Sequence, residues 1–169
     1  MKISNLRYAV MITYSLILSS LFPSTHSRAG EPTDFEAAFY AGQPTAKKRT
    51  FCKYMKLHTL RGNYDLWAAR FKKIAAGEAV LSIRQWVGRP YGKGSRQREI
   101  ARLTRDDGIG LQKLVFLHGF MPIIDDGILP TLDRLSHNDG LSLNDWSAWF
   151  TKEDLSKPLA IIHFTKFRY

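Results

Sequence analysis

Turn-forming residues divide this chain into many short segments, and this feature restricts the possible folds more than any other. Helical spacing of apolar residues predicts a helix over 64–76, whereas 79–86 and 159–165 have the composition of strands. Strands interleaved with short helices predict one α+β domain, with a small mixed β-barrel carrying short helices at its mouth. The dividing residues are Gly42, Gly62-Asn63, Gly77, Gly88 and Asp106-Asp107-Gly108.

The remaining segments fit the same alternation of helices and strands. Ser142 is typical of a helix N-cap and precedes an apolar-periodic segment with an acid at its third position. Further helices are expected at 35–41, 128–136 and 143–150, and further strands at 97–103 and 110–120.

The formal net charge of +10 belongs mostly to the body of the chain. Residues 1–29 contain three basic residues and no acid, so the remainder carries 10 − 3 = +7. Such a basic domain suits a polyanionic partner such as RNA or DNA, although a surplus that only aids solubility gives the same composition. Cys52 is the only cysteine, which excludes an internal disulfide and a cysteine-based zinc site. The histidines show no metal-binding spacing, so we expect neither metal nor cofactor.

The N-terminal segment has two interpretations. A basic start, an apolar run over 8–22 and a small residue at Ala29 resemble a secretory signal cleaved near Ala29. Alternatively, 15–22 is a strand of the domain or its lead-in. The apolar run contains several hydroxyl residues and makes a poor transmembrane span, so no stable membrane association is expected. The domain division is therefore a signal-like or lead-in segment at 1–22 and a single domain at 23–169.

The first group of candidate catalytic or binding residues is a Lys-Thr-Arg motif. Lys56 and Thr59 lie three residues apart, and Arg61 follows two residues later. If this segment turns, a cation and a hydroxyl converge, as nucleophilic catalysis or phosphate recognition requires. If it is extended, Thr59 and Arg61 share one face. Far downstream, Asp139 in a second polar segment supplies a carboxylate.

The Lys-Thr-Arg motif, Trp67, the segment 138–142 before Trp146, and the terminal segment 161–165 together resemble the ASCH domain family. That family belongs to the PUA-like superfamily of small β-barrels, and the resemblance covers roughly residues 50–169. The segment His26–Phe35 is similar to an uncharacterised bacterial or phage-associated branch, in which it is part of the domain.

The resemblance implies a cytoplasmic monomer with a basic cleft for RNA or a nucleotide; export after cleavage near Ala29 is the alternative. Some small members are amidohydrolases that act on N4-acetylcytidine. By that resemblance Thr59 would be the nucleophile, Lys56 its activator, Asp139 the proton-transfer carboxylate, and Arg61 a residue that shapes the pocket. Two departures matter: Tyr54 replaces a usual glycine, and Asp139 replaces a glutamate that is one methylene longer. Whether the protein is an enzyme therefore stays open.

A separate basic cluster with aromatic residues is the best candidate for a nucleic-acid surface on charge patterning alone. Phosphates require cations, and single-stranded bases require exposed aromatic faces. A solvated basic loop would show the same composition. Its members are Arg84, Trp86, Arg89, Tyr91, Lys93, Arg96 and Arg98.

Overall fold

The computed structural model describes residues 10–45 and 52–169 of the chain. The strands are β1 (Ile12–Ile17), β2 (His58–Arg61), β3 (Ala79–Val87), β4 (Arg96–Leu103), β5 (Gly110–Leu117), β6 (Met121–Ile124) and β7 (Leu159–His163). The helices are α1 (Phe35–Gly42), α2 (Tyr64–Ala75), α3 (Leu132–Asn138) and α4 (Leu143–Phe150). This is the mixed α+β architecture that the alternating segments predict. The basic start of the signal-like segment and the loop residues 46–51 lie outside the described residues.

The described strands form two sheets. One has the order β1-β3-β4, with β1 parallel to β3, and the other has the order β2-β7-β5-β6 with antiparallel neighbours. Helix α2 packs on β3, β5 and β7 and so covers both sheets. Its apolar face buries Trp67 and Ile74 in the core. Burying one apolar stripe of this kind is the main source of stability for a short helix in a folded domain.

Strand β1 belongs to the core of the first sheet. It pairs in register with β3 from Ile12 opposite Ala79 to Ile17 opposite Arg84. Leu16 and Leu18 are almost fully buried, because alternate side chains of a strand share one face. Within the described part of the chain, the apolar N-terminal run thus supplies a strand of this sheet. The strand spans Ile12–Ile17 and not the expected 15–22, so it begins three residues earlier and ends five residues earlier than expected.

No strand ladder joins the two sheets within residues 10–45 and 52–169, so the expected closed barrel is not confirmed. Instead, a side chain spans the gap between the edge strands β1 and β2. The guanidinium of Arg61 donates from Nη2 to the carbonyl oxygen of Ile17 at 2.5 Å and from Nη1 to that of Leu60 at 2.8 Å. Arginine can make this link because its planar group holds several donors in a fixed fork.

Two predicted boundaries were wrong for local reasons. The helix expected at 128–136 begins only at Leu132. Pro130 disfavours helical backbone in the residue before it, and Thr131 is the N-cap, whose hydroxyl accepts a hydrogen bond from the amide of Arg134. The strand expected at 110–120 is a hairpin in which β5 and β6 are joined by the three residues His118, Gly119 and Phe120. His118 and Gly119 have positive φ, 53° and 79° respectively, a backbone conformation that is common in hairpin loops.

The other predicted helices and strands are confirmed to within about two residues, and the apolar segment at 159–165 forms the buried strand β7. Among the described residues, no helix is both long and apolar enough to cross a membrane.

Candidate functional site

The Lys-Thr-Arg motif is held at the edge of the second sheet. Thr59 and Arg61 lie on β2, which pairs with β7. Lys56 lies just before that strand, where its amide donates to the carbonyl of Ala38 at 2.9 Å. Since Thr59 and Arg61 are two residues apart on a strand, their side chains project to the same face, as the extended interpretation of the motif predicts.

Asp139 reaches the same place from the end of α3. It forms an isolated antiparallel bridge with Lys56, and the amide of Leu57 donates to the carbonyl of Asn138 at 2.8 Å. The next residue, Gly140, has φ +82°, and a Cβ there would lie 3.2 Å from the Cβ of Lys56. A glycine is therefore required both by the left-handed backbone and by the close approach of the lysine.

Lys56 and Asp139 form a buried ion pair. The side chains are 1% and 5% exposed, and Nζ donates both to Oδ1 and to the main-chain oxygen of Asp139, each at 2.5 Å. Nζ also lies 3.8 Å from the ring centroid of Phe35. An ammonium has three protons, so these contacts occupy the donors of Lys56.

Burial acts against the charged form of both partners. Removal from water lowers the pKa of Lys56 and raises the pKa of Asp139, while the attraction between the two groups opposes each shift. The shifts bring the two groups closer in proton affinity than a free lysine and a free carboxylate. A buried pair in this state is suited to proton transfer, which makes it a candidate site on physical grounds.

The hydroxyl of Thr59 is bound by a cation. Arg61 donates from Nη1 to Oγ1 at 2.9 Å, and burial lowers the pKa of this guanidinium while Asp139 and Glu153 oppose the shift. No hydrogen bond joins Lys56 to Thr59 in the described part of the chain. The hydroxyl therefore has a donor that would stabilise an alkoxide, whereas the lysine that should activate it is held by Asp139.

These four side chains line one cavity of about 120 Å³. Typical small-molecule sites enclose roughly 300–1,000 Å³, so this cavity accommodates a single ring or a small acyl group rather than a whole extended ligand. The other lining residues come from the segment after β1, from α1, from β2 and the turn after it, from the α3–α4 loop, from α4 and the turn after it, and from β7. They are Leu18, Ser19, Phe35, Leu60, Gly62, Leu141, Trp149, Phe150, Glu153 and Leu159.

Three of these lining residues were missed from the sequence. Phe35 and Trp149 supply aromatic walls 5.6 Å apart between ring centroids, and exposed Glu153 adds a second carboxylate to the lining. Phe35 on α1, Trp149 on α4 and Glu153 in the turn after α4 are far from the motif in sequence. The apolar spacing of α4 indicates a buried face, but only the folded chain shows that part of this face borders a cavity.

The basic cluster lies elsewhere, on β3, β4 and the loop between them, and none of its members lines the cavity. Arg84 lies 3.8 Å from a carboxylate oxygen of Glu99, and Arg98 forms a bidentate pair with Glu36. Arg98 is thereby largely neutralised, whereas Arg84 shares Glu99 with Arg102, which lies closer to that carboxylate at 2.9 Å. The structure brings together Lys56, Thr59, Arg61 and Asp139, whereas the basic cluster lies on the adjoining β3–β4 hairpin and does not line the cavity.

A hydrogen-bonded set of three polar side chains, His58, Asn138 and Tyr169, adjoins the site. Nε2 of His58 and Oη of Tyr169 lie 2.6 Å apart, and Nδ2 of Asn138 donates to the same Oη at 3.1 Å. His58 precedes Thr59 and Asn138 precedes Asp139, so one phenol links the two segments that carry site residues. His163 lies opposite His58 on β7 and is fully buried, in agreement with a structural role for both histidines.

Comparison of the chain with protein-family models, curated proteins and solved structures found no match. In residues 10–45 and 52–169, no group of three or more histidine, cysteine, aspartate or glutamate side chains is placed to hold a metal ion.

Proposed function

We propose that this protein binds a nucleotide, free or within RNA, by inserting the base into the cavity beside Thr59 and Arg61. The observation that carries the proposal is a small polar cavity with aromatic walls and a guanidinium in its lining. Nucleobases are planar, carry both donors and acceptors on their edges, and stack on aromatic side chains. The proposal agrees with the resemblance to ASCH domains, and we propose a PUA-like relationship for the fold on the same grounds.

The donors of Arg61 favour a ligand that presents acceptors. Three of its five N–H groups bind Thr59, Leu60 and Ile17, which leaves one proton on Nε and one on Nη2 without a protein partner among the described residues. Arginine donors pair well with the acceptor edges of bases and with phosphate oxygens. Glu153, whose carboxylate acts electrostatically on Arg61, is placed to accept from an amino group on the ligand.

Calorimetric titration with the four ribonucleoside 5′-monophosphates tests this proposal. We expect Thr59→Val and Trp149→Ala to weaken binding of the preferred nucleotide about tenfold, since one base–aromatic contact is worth roughly 1–3 kcal/mol. Phe120→Ala is the matched control, because that ring is 67% exposed on the β5–β6 hairpin and does not line the cavity. Failure of the folded protein to bind any of the four nucleotides would overturn the proposal.

An amidohydrolase acting on an acylated nucleoside is the second proposal. The convergence of Thr59, Lys56 and Asp139 on one cavity favours it. In such a reaction the Thr59 hydroxyl attacks the acyl carbon and gives its proton to the Lys56–Asp139 pair, while Arg61 stabilises the negative charge on the carbonyl oxygen. The C–N bond then breaks and the pair returns the proton to the leaving amine. A water molecule finally hydrolyses the acyl-threonine, which releases the acid and restores the hydroxyl. Lys56 would have to exchange its contact with Asp139 for one with Thr59 before attack.

The two proposals differ in how they respond to isosteric changes. With N4-acetylcytidine as substrate, an enzyme loses turnover in Thr59→Val and Asp139→Asn while circular dichroism shows an intact fold. A binding protein retains salt-dependent RNA affinity in Asp139→Asn, because removing a negative charge does not weaken phosphate contacts. Absence of hydrolysis by the folded wild-type protein would reject the amidohydrolase proposal for this substrate.

A further inference from the structure

The β3–β4 hairpin extends beyond the sheet that supports it. Strand β1 ends at Ile17, opposite Arg84, whereas β3 and β4 continue to pair from Gln85 opposite Arg98 to Val87 opposite Arg96. We call residues 85–98 the basic ribbon. It is a two-stranded projection with four basic residues and no acid.

Three of the four cations of the basic ribbon are free for a partner. Arg98 is neutralised by Glu36, at 2.6 and 2.9 Å. Arg89, Lys93 and Arg96 are exposed and have no acidic partner within the described residues. The positive charge is thus concentrated at the far end of the ribbon, while the charges at its base are satisfied internally.

An aromatic residue is displayed among these cations. Tyr91 is 89% exposed, has φ +58°, and its ring centroid lies 5.0 Å from that of half-buried Trp86. A non-glycine residue in this left-handed conformation carries a backbone cost. Burial does not account for holding a tyrosine there, since its side chain is almost fully in water. An exposed aromatic ring beside cations is the combination that binds single-stranded nucleic acid.

The loop that carries these groups is held by its own hydrogen bonds. The amide of Gly92 donates to the carbonyl of Arg89 at 3.0 Å, and the amide of Ser95 donates to that of Gly92 at 3.0 Å. The hydroxyl of Ser95 also donates to the Arg89 carbonyl at 2.5 Å. Such internal ordering reduces the entropy that the loop would lose when it binds a ligand.

The basic ribbon starts directly beside the cavity. Leu18, which lines the cavity, donates its amide to the carbonyl of Arg84 at 2.8 Å. Strand β3 continues for three residues beyond Arg84, from Gln85 to Val87, before the loop that carries Tyr91 begins. At about 3.3 Å per residue this is a rise of about 10 Å, so a ligand that fills the cavity and also contacts Tyr91 must extend beyond one nucleotide.

We propose that the ligand is single-stranded RNA, with one base in the cavity and the adjoining nucleotides lying along the basic ribbon. This inference rests on the proposed nucleotide-binding function and deepens it. Arg89, Lys93 and Arg96 contact phosphates, and Tyr91 stacks on a base. Single-stranded RNA fits better than a duplex because the bases of a duplex are stacked internally and are not open to Tyr91.

Fluorescence anisotropy with labelled RNA of one, four and eight nucleotides tests the proposal over a series of salt concentrations. We expect the eight-nucleotide RNA to bind at least tenfold more tightly than the mononucleotide. In Arg89→Gln/Lys93→Gln the slope of log K against log salt should fall by about 1.4, since each contact on a single strand contributes roughly 0.7. Tyr91→Ala should weaken the eight-nucleotide complex about tenfold.

The matched control is Lys72→Gln/Lys73→Gln, which removes two exposed cations from α2 and gives the same net charge. It should leave the salt slope unchanged. Equal losses in both double variants, tighter binding of duplex RNA, or equal ribbon-dependent binding of a polyglutamate peptide would overturn the inference. Mononucleotide affinity reports on the cavity alone, so a failure of the ribbon is distinguished from a failure of the proposed nucleotide site.

Discussion

Arg61 is bound to the carbonyl oxygen of Ile17 at 2.5 Å, and this contact joins the edge strands of two sheets that share no strand ladder among the residues the structure describes. The same guanidinium holds the hydroxyl of Thr59 at 2.9 Å. One side chain thus connects the architecture of the domain to the geometry of the cavity. A residue that the sequence suggests as a ligand contact also has a structural role.

We expect Arg61→Lys to lower both stability and nucleotide affinity. A lysine keeps the charge but has neither the planar fork nor enough reach to bind Ile17, Leu60 and Thr59 together. The loss should be about 1–3 kcal/mol in the free energy of unfolding, measured by urea denaturation. Arg89→Lys, at an exposed loop position, should change stability by less than ~0.5 kcal/mol. Unchanged stability in Arg61→Lys would show that the sheets are held together by other contacts.

A double-mutant cycle should show strong coupling between Lys56 and Asp139. Removing one partner leaves a buried charge without compensation, so Lys56→Met and Asp139→Asn should each cost about 3–5 kcal/mol. The double variant removes both charges and should be less destabilised than the sum of the two single changes. Urea denaturation of the four proteins measures the coupling. Additive losses would show that the two charges do not stabilise each other.

Stability should fall in acid through the buried histidines. Burial lowers the pKa of His163 to about 3 and that of His58 well below its usual value. Between about pH 6.5 and 3 the unfolded chain therefore binds more protons, so stability decreases as pH falls, by roughly 1 kcal/mol per pH unit for His163. Carboxylates add to this slope, so the informative quantity is the difference between variants.

His163→Leu isolates the histidine contribution. Both ring nitrogens of His163 lack hydrogen-bond partners among the described residues, so leucine removes a titrating group without breaking a bond. The free energy of unfolding should depend less steeply on pH in His163→Leu than in wild type. His137→Gln, at a half-exposed position on α3, is the control and should keep the wild-type slope. Equal slopes in all three proteins would show that His163 does not contribute to the loss of stability in acid.

Tyr169→Phe should weaken the site without unfolding the domain. Its hydroxyl lies within hydrogen-bond distance of both His58 and Asn138, and its loss leaves these groups unsatisfied, at a cost of about 1–3 kcal/mol in the free energy of unfolding. Because those residues adjoin Thr59 and Asp139, nucleotide affinity should fall as well, measured by calorimetry. Tyr64→Phe, whose hydroxyl makes no hydrogen bond among the described residues, is the control. A loss of stability with unchanged affinity would confine Tyr169 to a purely structural role.

Local patterns in the sequence predicted most of the helices and strands correctly because the decisive signals are close together in the chain. The Ser142 cap of α4 and the apolar face of α2 are examples. The expected barrel depended on how distant strands associate, and an arginine side chain rather than a strand ladder spans the gap between β1 and β2. No local pattern encodes that difference.

In the candidate site, too, the features set by local sequence were predicted and those set by distant contacts were not. The proximity of Lys56, Thr59 and Arg61 follows from their spacing, and the resemblance to ASCH domains linked them to Asp139. The sequence did not indicate that Asp139 would occupy the donors of Lys56, because that depends on the bridge between two segments 83 residues apart. The aromatic walls were missed for the same reason.

Removing residues 1–29 should unfold the domain or leave it prone to aggregation. The deletion takes β1 from the edge of β3 and removes buried Leu16, Leu18 and Phe22 from the core. Each large apolar side chain lost from a core costs about 2–5 kcal/mol, so the combined loss of about 6–15 kcal/mol is comparable to the roughly 5–15 kcal/mol that stabilises a typical domain. Thermal unfolding followed by circular dichroism should show a cooperative transition for the full chain and none for 30–169. A cooperative transition at the same temperature in 30–169 would show that β1 contributes little to the fold and would favour cleavage near Ala29.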